Sequence, residues 1–203
     1  MTINLDEPEG ATPLTPDELE GLKVKTISTR GELNQLESEN IIQGLTWLSR
    51  LPKRVDILTD DFARELHRRL YGDVWAWAGQ YRLTDKNIGV QVWTISSEMR
   101  NCLNDVKIWI ERGVYPPLEA AARLHHRLVW IHPFPNGNGR WSRVMADALL
   151  ERLDDSCFID WAGDTDLSVD SAHRQTYIRA LRAADNYEFG PLVDFVEGVA
   201  RKY

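Results

Sequence analysis

Apolar residues recur at helical intervals along most of this chain, in runs separated by prolines, glycines and capping residues. Leu33, Leu36, Ile41, Leu45 and Leu48 follow Thr29-Arg30-Gly31-Glu32, whose threonine and glutamate have the spacing of a capping box, and Pro52 ends that pattern. Phe62, Leu66 and Leu70 predict a second helix from about Asp60 to Leu70, which runs into the aromatic stretch Tyr71 to Gly79, most simply read as core. Met99, Leu103, Val106 and Ile110 predict a third behind Ser96 or Ser97, and Pro116-Pro117 separates it from a fourth carrying Ala121, Leu124, Leu128 and Ile131. Val144, Ala148 and Leu149 mark a fifth, and weaker helical patterns cover about Ser168 to Ala184 and Pro191 to Tyr203. The period changes once. Between Gln80 and Ile95, Ile88, Val90 and Val92 alternate around Asp85-Lys86-Asn87 and Gly89, which predicts a short β-hairpin. Residues 1–27 hold Pro8, Pro13 and Pro16 among acids and threonines and read as an extended arm, leaving residues 28–203 as one helical domain.

At 203 residues and 43% hydrophobic, the chain can bury one substantial core. A net charge of −7 argues against nonspecific nucleic-acid binding and against an anionic membrane surface, although the run from Arg123 to Arg143 is locally basic. Cys102 and Cys157 have neither CxxC spacing nor a disulfide framework, no apolar run is long enough for a membrane span, and the start of the chain is acidic where a signal peptide would be basic and then apolar. The expected location is cytoplasmic.

Chemistry concentrates in His132-Pro133-Phe134-Pro135-Asn136-Gly137-Asn138-Gly139-Arg140-Trp141-Ser142-Arg143. The glycines and asparagines favour a tight loop with exposed N–H groups, and the helix that follows points its positive end at the same place. Arg140 and Arg143, three residues apart on one helix face, would add forked donors for phosphate oxygens. His132 titrates near neutrality and can take a proton. Simpler roles compete: Arg140 as a surface ion-pair partner, Arg143 as the partner of Asp147, and Asn138 as a residue that only shapes the loop. His67, His125, His126 and His173 lack metal-ligand spacing and read as structural.

The loop resembles the signature of the Fic/Doc family, H-x-F-x-[D/E]-G-N-G-R-x-x-R, and Trp77-Ala78-Gly79-Gln80-Tyr81-Arg82 resembles the family segment before its hairpin, the flap. The N-terminal arm and the stretch Thr29 to Ile41 further resemble a subgroup from bacterial mobile elements, mobile mystery protein B. The resemblance implies an all-α Fic-type fold with a short β-hairpin flap. It implies a protein adenylyltransferase that uses ATP with Mg2+ to move AMP onto a hydroxyl of a target protein. His132 is then the base; Asn136, Gly137, Asn138, Gly139, Arg140 and Arg143 bind nucleotide; Tyr177 lines the adenine; and Asn87, Ile88, Gly89 and Val90 dock the target by backbone pairing.

One position departs from the signature: Asn136 stands where an acidic residue usually helps hold magnesium, so Asn136 as metal ligand brings an amide oxygen without charge. This keeps open another Fic-type phospho-transfer, removal of AMP, or a non-catalytic nucleotide-binding module with an antitoxin-like partner. The resemblance also implies an inhibitory glutamate, on the helix at about 29–50, that pairs with the second arginine of the signature. The usual [S/T]-x-x-x-E-[G/N] pattern is not matched, because Gln35 precedes Glu39-Asn40 at the hydroxyl position. Glu37 competes with Glu39, because it shares the side of Leu33, Ile41 and Leu48, where a charge needs a partner.

Overall fold

In the computed structural model, which describes residues 15–27, 29–162 and 171–203, the arm read as extended contains a helix, α1 (Pro16–Glu20). Thr15 and Glu18 close a capping box around it and Pro16 pre-sets its first turn, a signal carried by four residues and too short to register as periodicity. The rest of the arm, residues 1–14, lies outside the described residues. Past α1 the chain lies along the segment that follows α3: Lys23 N–H donates to Val74 O at 2.9 Å and Ala76 N–H to Gly21 O at 2.8 Å.

The helices follow the predicted order. α2 (Arg30–Ser49) has the expected Thr29/Glu32 capping box, and α3 (Asp60–Tyr71) buries Phe62, Leu66 and Leu70. α4 (Ile95–Arg112) buries Met99, Leu103 and Val106, and α5 (Pro117–Ile131) buries Ala121, Leu124, Leu128 and Ile131. α6 (Asn138–Leu153), α7 (Ala172–Ala184) and α8 (Gly190–Val199) complete the set. Neither Ser96 nor Ser97 caps α4; Thr94 precedes it without a side-chain cap. α5 and α6 pack as the central pair and meet at the signature loop. One core fills the space between α2, α3, α4 and this pair, and a second lies on the far side of the pair under α7 and α8.

Two strands form where none was expected. β1 (Cys157–Ile159) pairs antiparallel with β2 (Ala200–Lys202), placing Phe158 opposite Arg201, so the last predicted helix stops at Val199. Three-residue strands are too short to show an alternating pattern.

The predicted hairpin over residues 80–95 is, conversely, not formed as paired strands. It is an irregular loop leading into a 3-10 turn at Val92–Thr94. Its hydrogen bonds go elsewhere: Val90 N–H donates to Ile131 O at 3.3 Å, Asp85 Oδ1 accepts from Val92 N at 3.0 Å, and the carbonyls of Thr84 and Val90 accept from the Arg82 guanidinium. An internal arginine and an aspartate replace the cross-strand ladder, so the alternation of apolar residues had a different cause from sheet pleating.

Candidate active site

α5 ends at His132, which adopts the left-handed conformation at φ 52° and still donates its N–H to Leu128 O at 3.1 Å. A non-glycine residue there costs roughly 1–2 kcal/mol, so surrounding contacts must hold it. Phe134 supplies part of that hold. It is fully buried, stacks on His67 with ring centroids 3.7 Å apart, and meets Trp141 edge-on at 4.9 Å. His67 holds the loop a second time: Nδ1 accepts from Gly79 N at 3.0 Å, so Nε2 carries the proton and donates to Asn136 O at 3.1 Å. Burial drops the His67 pKa to about 3, consistent with that neutral tautomer.

The loop closes on itself through its asparagines. Asn138 is 2% exposed and both ends of its amide are engaged by Phe134, accepting from N at 2.9 Å and donating to O at 2.8 Å. It shapes the loop and does not present its amide to a nucleotide. Asn136 Oδ1 accepts from Gly137 N at 2.6 Å. Gly137 lies at φ 76° as the N-cap of α6, and a Cβ there would stand 2.6 Å from the Tyr71 ring, so glycine is required twice over. Gly139 is different. A Cβ there would meet nothing closer than Arg143 Nη1 at 3.7 Å, so the space beside its backbone is open to a ligand. The first turn of α6 thus aims its N–H groups at an uncrowded surface, the arrangement that receives phosphate.

The two arginines diverge. Arg140 reaches α2, where its Nη2 stands 2.6 Å from Glu37 Oε2 and its guanidinium lies 5.3 Å from the centre of the Tyr71 ring. Arg143 does not share that carboxylate; its charge is felt by the buried Tyr177 hydroxyl of α7. Tyr177 is 3% exposed, its hydroxyl lies 2.8 Å from His125 Nε2, and its ring packs on Phe195. It is therefore a member of the second core, in contrast to the expected place against adenine. Asp147, one turn beyond Arg143, accepts from Trp161 Nε1 at 2.7 Å, and burial lifts its pKa to about 7 against the pull of the Arg143 charge.

Between the two glutamates the structure chooses clearly. Glu37 is 5% exposed and its second oxygen accepts from Trp75 Nε1 at 2.8 Å, whereas Glu39 is exposed and accepts from its own helix neighbour Gln35. The clamp falls on Arg140, the first arginine of the signature, where the resemblance implied the second.

His132 is 5% exposed, and its pKa is lowered to about 4, first by burial and then by the Arg82 and Lys86 charges, with partial opposition from a hydrogen bond to the Val129 backbone. It is neutral at pH 7 and can accept a proton. Above it lies the loop of Asn87, Ile88 and Gly89, all exposed; a Cβ on Gly89, at φ 97°, would stand 2.6 Å from His132 Cβ. Val90 does not belong to a docking edge, because its N–H and carbonyl are taken by Ile131 and Arg82. Lys86 is held by Glu18 of α1, which ties the arm to this loop.

No carboxylate stands in the signature loop, the Asn136 amide oxygen faces Gly137, and among the described residues no cluster of three histidine, cysteine or acidic side chains could hold a metal. The Asn136 side chain therefore offers a divalent ion an uncharged oxygen that already accepts from Gly137 N. Sequence reasoning passed over three residues that build the site: His67 and Trp75, read only as structure, and Arg82. Each is buried, and periodicity reports burial but not the polar atom that burial conceals.

Residues 57–150 match the model of the Fic/DOC family. The chain is 30% identical over 152 residues to a protein adenylyltransferase Fic of Nematostella vectensis, covering 73% of this chain and 34% of that protein. A protein adenylyltransferase Fic of Aedes aegypti is 29% identical over 150 residues, 72% of this chain and 28% of that one. The chain thus spans about a third of the length of the curated relatives it matches. Among solved structures, Fic-1 (residues 134–508) of C. elegans superposes with a TM-score of 0.69 at 23% identity, over 89% of this chain and 52% of that one. BepC of Bartonella tribocorum, solved with bound AMPPNP, superposes with a TM-score of 0.68 at 17% identity, over 97% and 96%. At these identities the superpositions establish the fold.

Proposed function

A Fic/DOC domain occupies residues 57–150 of this chain, and from that premise we propose a protein adenylyltransferase held in check by Glu37. The observation that carries the proposal is the pairing of a buried, neutral His132 with an open phosphate cradle at Gly139, immediately before an arginine that a carboxylate already occupies. In this reading ATP lays its phosphates against the first turn of α6 and takes Arg140 from Glu37, while Arg143 supplies a second cation. His132 accepts the proton of a target hydroxyl. The oxygen attacks the α-phosphorus, the bond to the bridging oxygen breaks, and pyrophosphate leaves with that electron pair. AMP remains on the target and the proton remains on His132 until solvent removes it. A divalent ion that arrives with the triphosphate would be held by phosphate oxygens, and no step here is assigned to it.

The finer readings belong to the same proposal. The subgroup, mobile mystery protein B, is supported by the stretch Thr29 to Ile41, and with it an antitoxin-like partner encoded on a mobile element. A cytoplasmic site of action is supported by the free Cys102 and Cys157; no described helix is long and apolar enough to cross a membrane. Asn136 favours a second reading, a nucleotide-binding module without turnover, because the loop lacks the carboxylate that would recruit metal.

Intact-protein mass spectrometry after incubation with ATP and magnesium separates the two. An AMP adduct on the Glu37→Gly chain or on added target proteins, absent in His132→Ala, supports transfer. Tight ATP binding with no adduct on any protein, in any variant, selects the module.

A further inference from the structure

Arg82 has a wholly buried side chain, yet its nearest carboxylate, on the exposed Asp85, is 3.6 Å away. A buried guanidinium needs its charge compensated. Here main-chain carbonyls do most of this work. Nε donates to His132 O at 2.7 Å, Nη1 to Thr84 O at 2.9 Å, and Nη2 to Val90 O. The residue's own N–H donates to Pro133 O at 2.9 Å. One side chain therefore grips the carbonyl of the left-handed His132 and both ends of the loop that lies above it. The planar fork of arginine suits three carbonyls at once; an ammonium, a point charge, does not.

We propose that Arg82 is a positioning residue for nucleotidyl transfer, fixing the His132 main chain and the overlying target loop as one unit. The proposal rests on the adenylyltransferase reading for its kinetics, but the state of the His132 ring can be read without turnover. The charged groups facing that ring are Arg82 and Lys86, so loss of one cation must register on it.

The test uses the full chain carrying Glu37→Gly, with Arg82→Lys and Arg82→Gln added separately. It measures ATP affinity by calorimetry, self-modification rate at saturating ATP, and the His132 ring pKa by NMR titration, after thermal unfolding has shown which variants fold. Arg82→Lys should lower the rate about a hundredfold, the scale expected when a reacting group is displaced by about an ångström. Its ATP affinity should stay within about threefold, since the Gly139 cradle is built by other residues. Arg82→Gln should match that loss and also raise the His132 pKa, because a charge has gone, whereas Arg82→Lys keeps the charge. A purely structural role would weaken ATP binding and rate together. A rate retained in Arg82→Lys, or an unmoved His132 pKa in Arg82→Gln, overturns the proposal; if Arg82→Gln does not fold, the rate and affinity of Arg82→Lys decide it. If the Glu37→Gly parent itself transfers nothing, the adenylyltransferase reading has failed, and the backbone NMR signals of His132 and Val90 in Arg82→Lys still settle the positioning role, a displacement of both supporting it and unmoved signals refuting it.

Discussion

The carboxylate of Glu37 bridges two helices' worth of structure: one oxygen accepts from Trp75 Nε1 at 2.8 Å and the other stands 2.6 Å from Nη2 of Arg140. Trp75 is itself 1% exposed, so the acid is aimed by the core and is not a wandering surface group. The arginine end is partly open to solvent, with the side chain 39% exposed, so the pair contributes modestly to stability while occupying a cation that phosphate would use.

Replacing Glu37 by glutamine keeps an acceptor for Trp75 and removes the charge from Arg140. ATP affinity should rise about tenfold, equivalent to roughly 1.4 kcal/mol, with a melting temperature within a few degrees of the parent. Calorimetric titration checks this. An unchanged dissociation constant would show that the ion pair does not compete with nucleotide.

Stability should fall on mild acidification. His67, His125, His126 and His132 all have folded-state pKa values depressed mainly by burial, to about 3 for His67 and about 4 for His132. The unfolded chain therefore binds more protons than the folded one below pH 6.5, and stability drops as pH falls from 6.5 toward 4. His67 and His132 each lose about 2 kcal/mol between pH 7 and pH 5, and His125 and His126 act in the same direction. Asp147 works in the opposite direction in the same window, since its folded pKa is raised to about 7 and protonation favours the folded state. The histidines outnumber it, so the net change at pH 5 is a loss. Urea unfolding midpoints at pH 7 and pH 5 measure it, and Asp147→Asn should enlarge the drop.

What the sequence made legible, and what it did not, follows from range. The helices were readable because burial of Leu66 or Leu128 repeats every turn, and the Thr29 cap because its partner is three residues away. The signature loop was readable because glycines, amides and arginines stand consecutively. The Arg82 contact to His132 was not, since it joins residues 50 apart in sequence, and His67 meets Asn136 across 69. Nor was the choice of arginine: Arg140 and Arg143 share a helix face, and only the positions of α2 and α7 decide which partner each one finds. The mistaken hairpin has the same origin, since Val90 N–H finds Ile131 O, 41 residues on, and not a neighbouring strand.

The two loop glycines should behave oppositely. Gly137→Ala forces a Cβ into the Tyr71 ring at a left-handed position and should cost about 2–3 kcal/mol, lowering the unfolding midpoint. Gly139→Ala meets no close atom and sits within a helix, where alanine is favoured, so stability should hold or rise slightly while ATP affinity falls about tenfold. Nucleotide binding that survives Gly139→Ala would move the phosphate cradle away from the first turn of α6.

Asn136 offers the last test, because it separates loop shape from metal recruitment. Its amide oxygen caps Gly137 N at 2.6 Å, and an aspartate can make the same bond with one oxygen while a second, charged oxygen remains. Asn136→Asp should therefore preserve the fold and add a hard anionic donor beside the phosphates. The expected result is a transfer rate raised about tenfold at saturating magnesium, with a dependence on free magnesium at fixed Mg·ATP that the parent lacks. Rates measured across a magnesium series in the Glu37→Gly background decide it. Equal rates and equal magnesium profiles in the two chains would mean that the carboxylate is irrelevant at this position, and that the amide is no handicap to turnover.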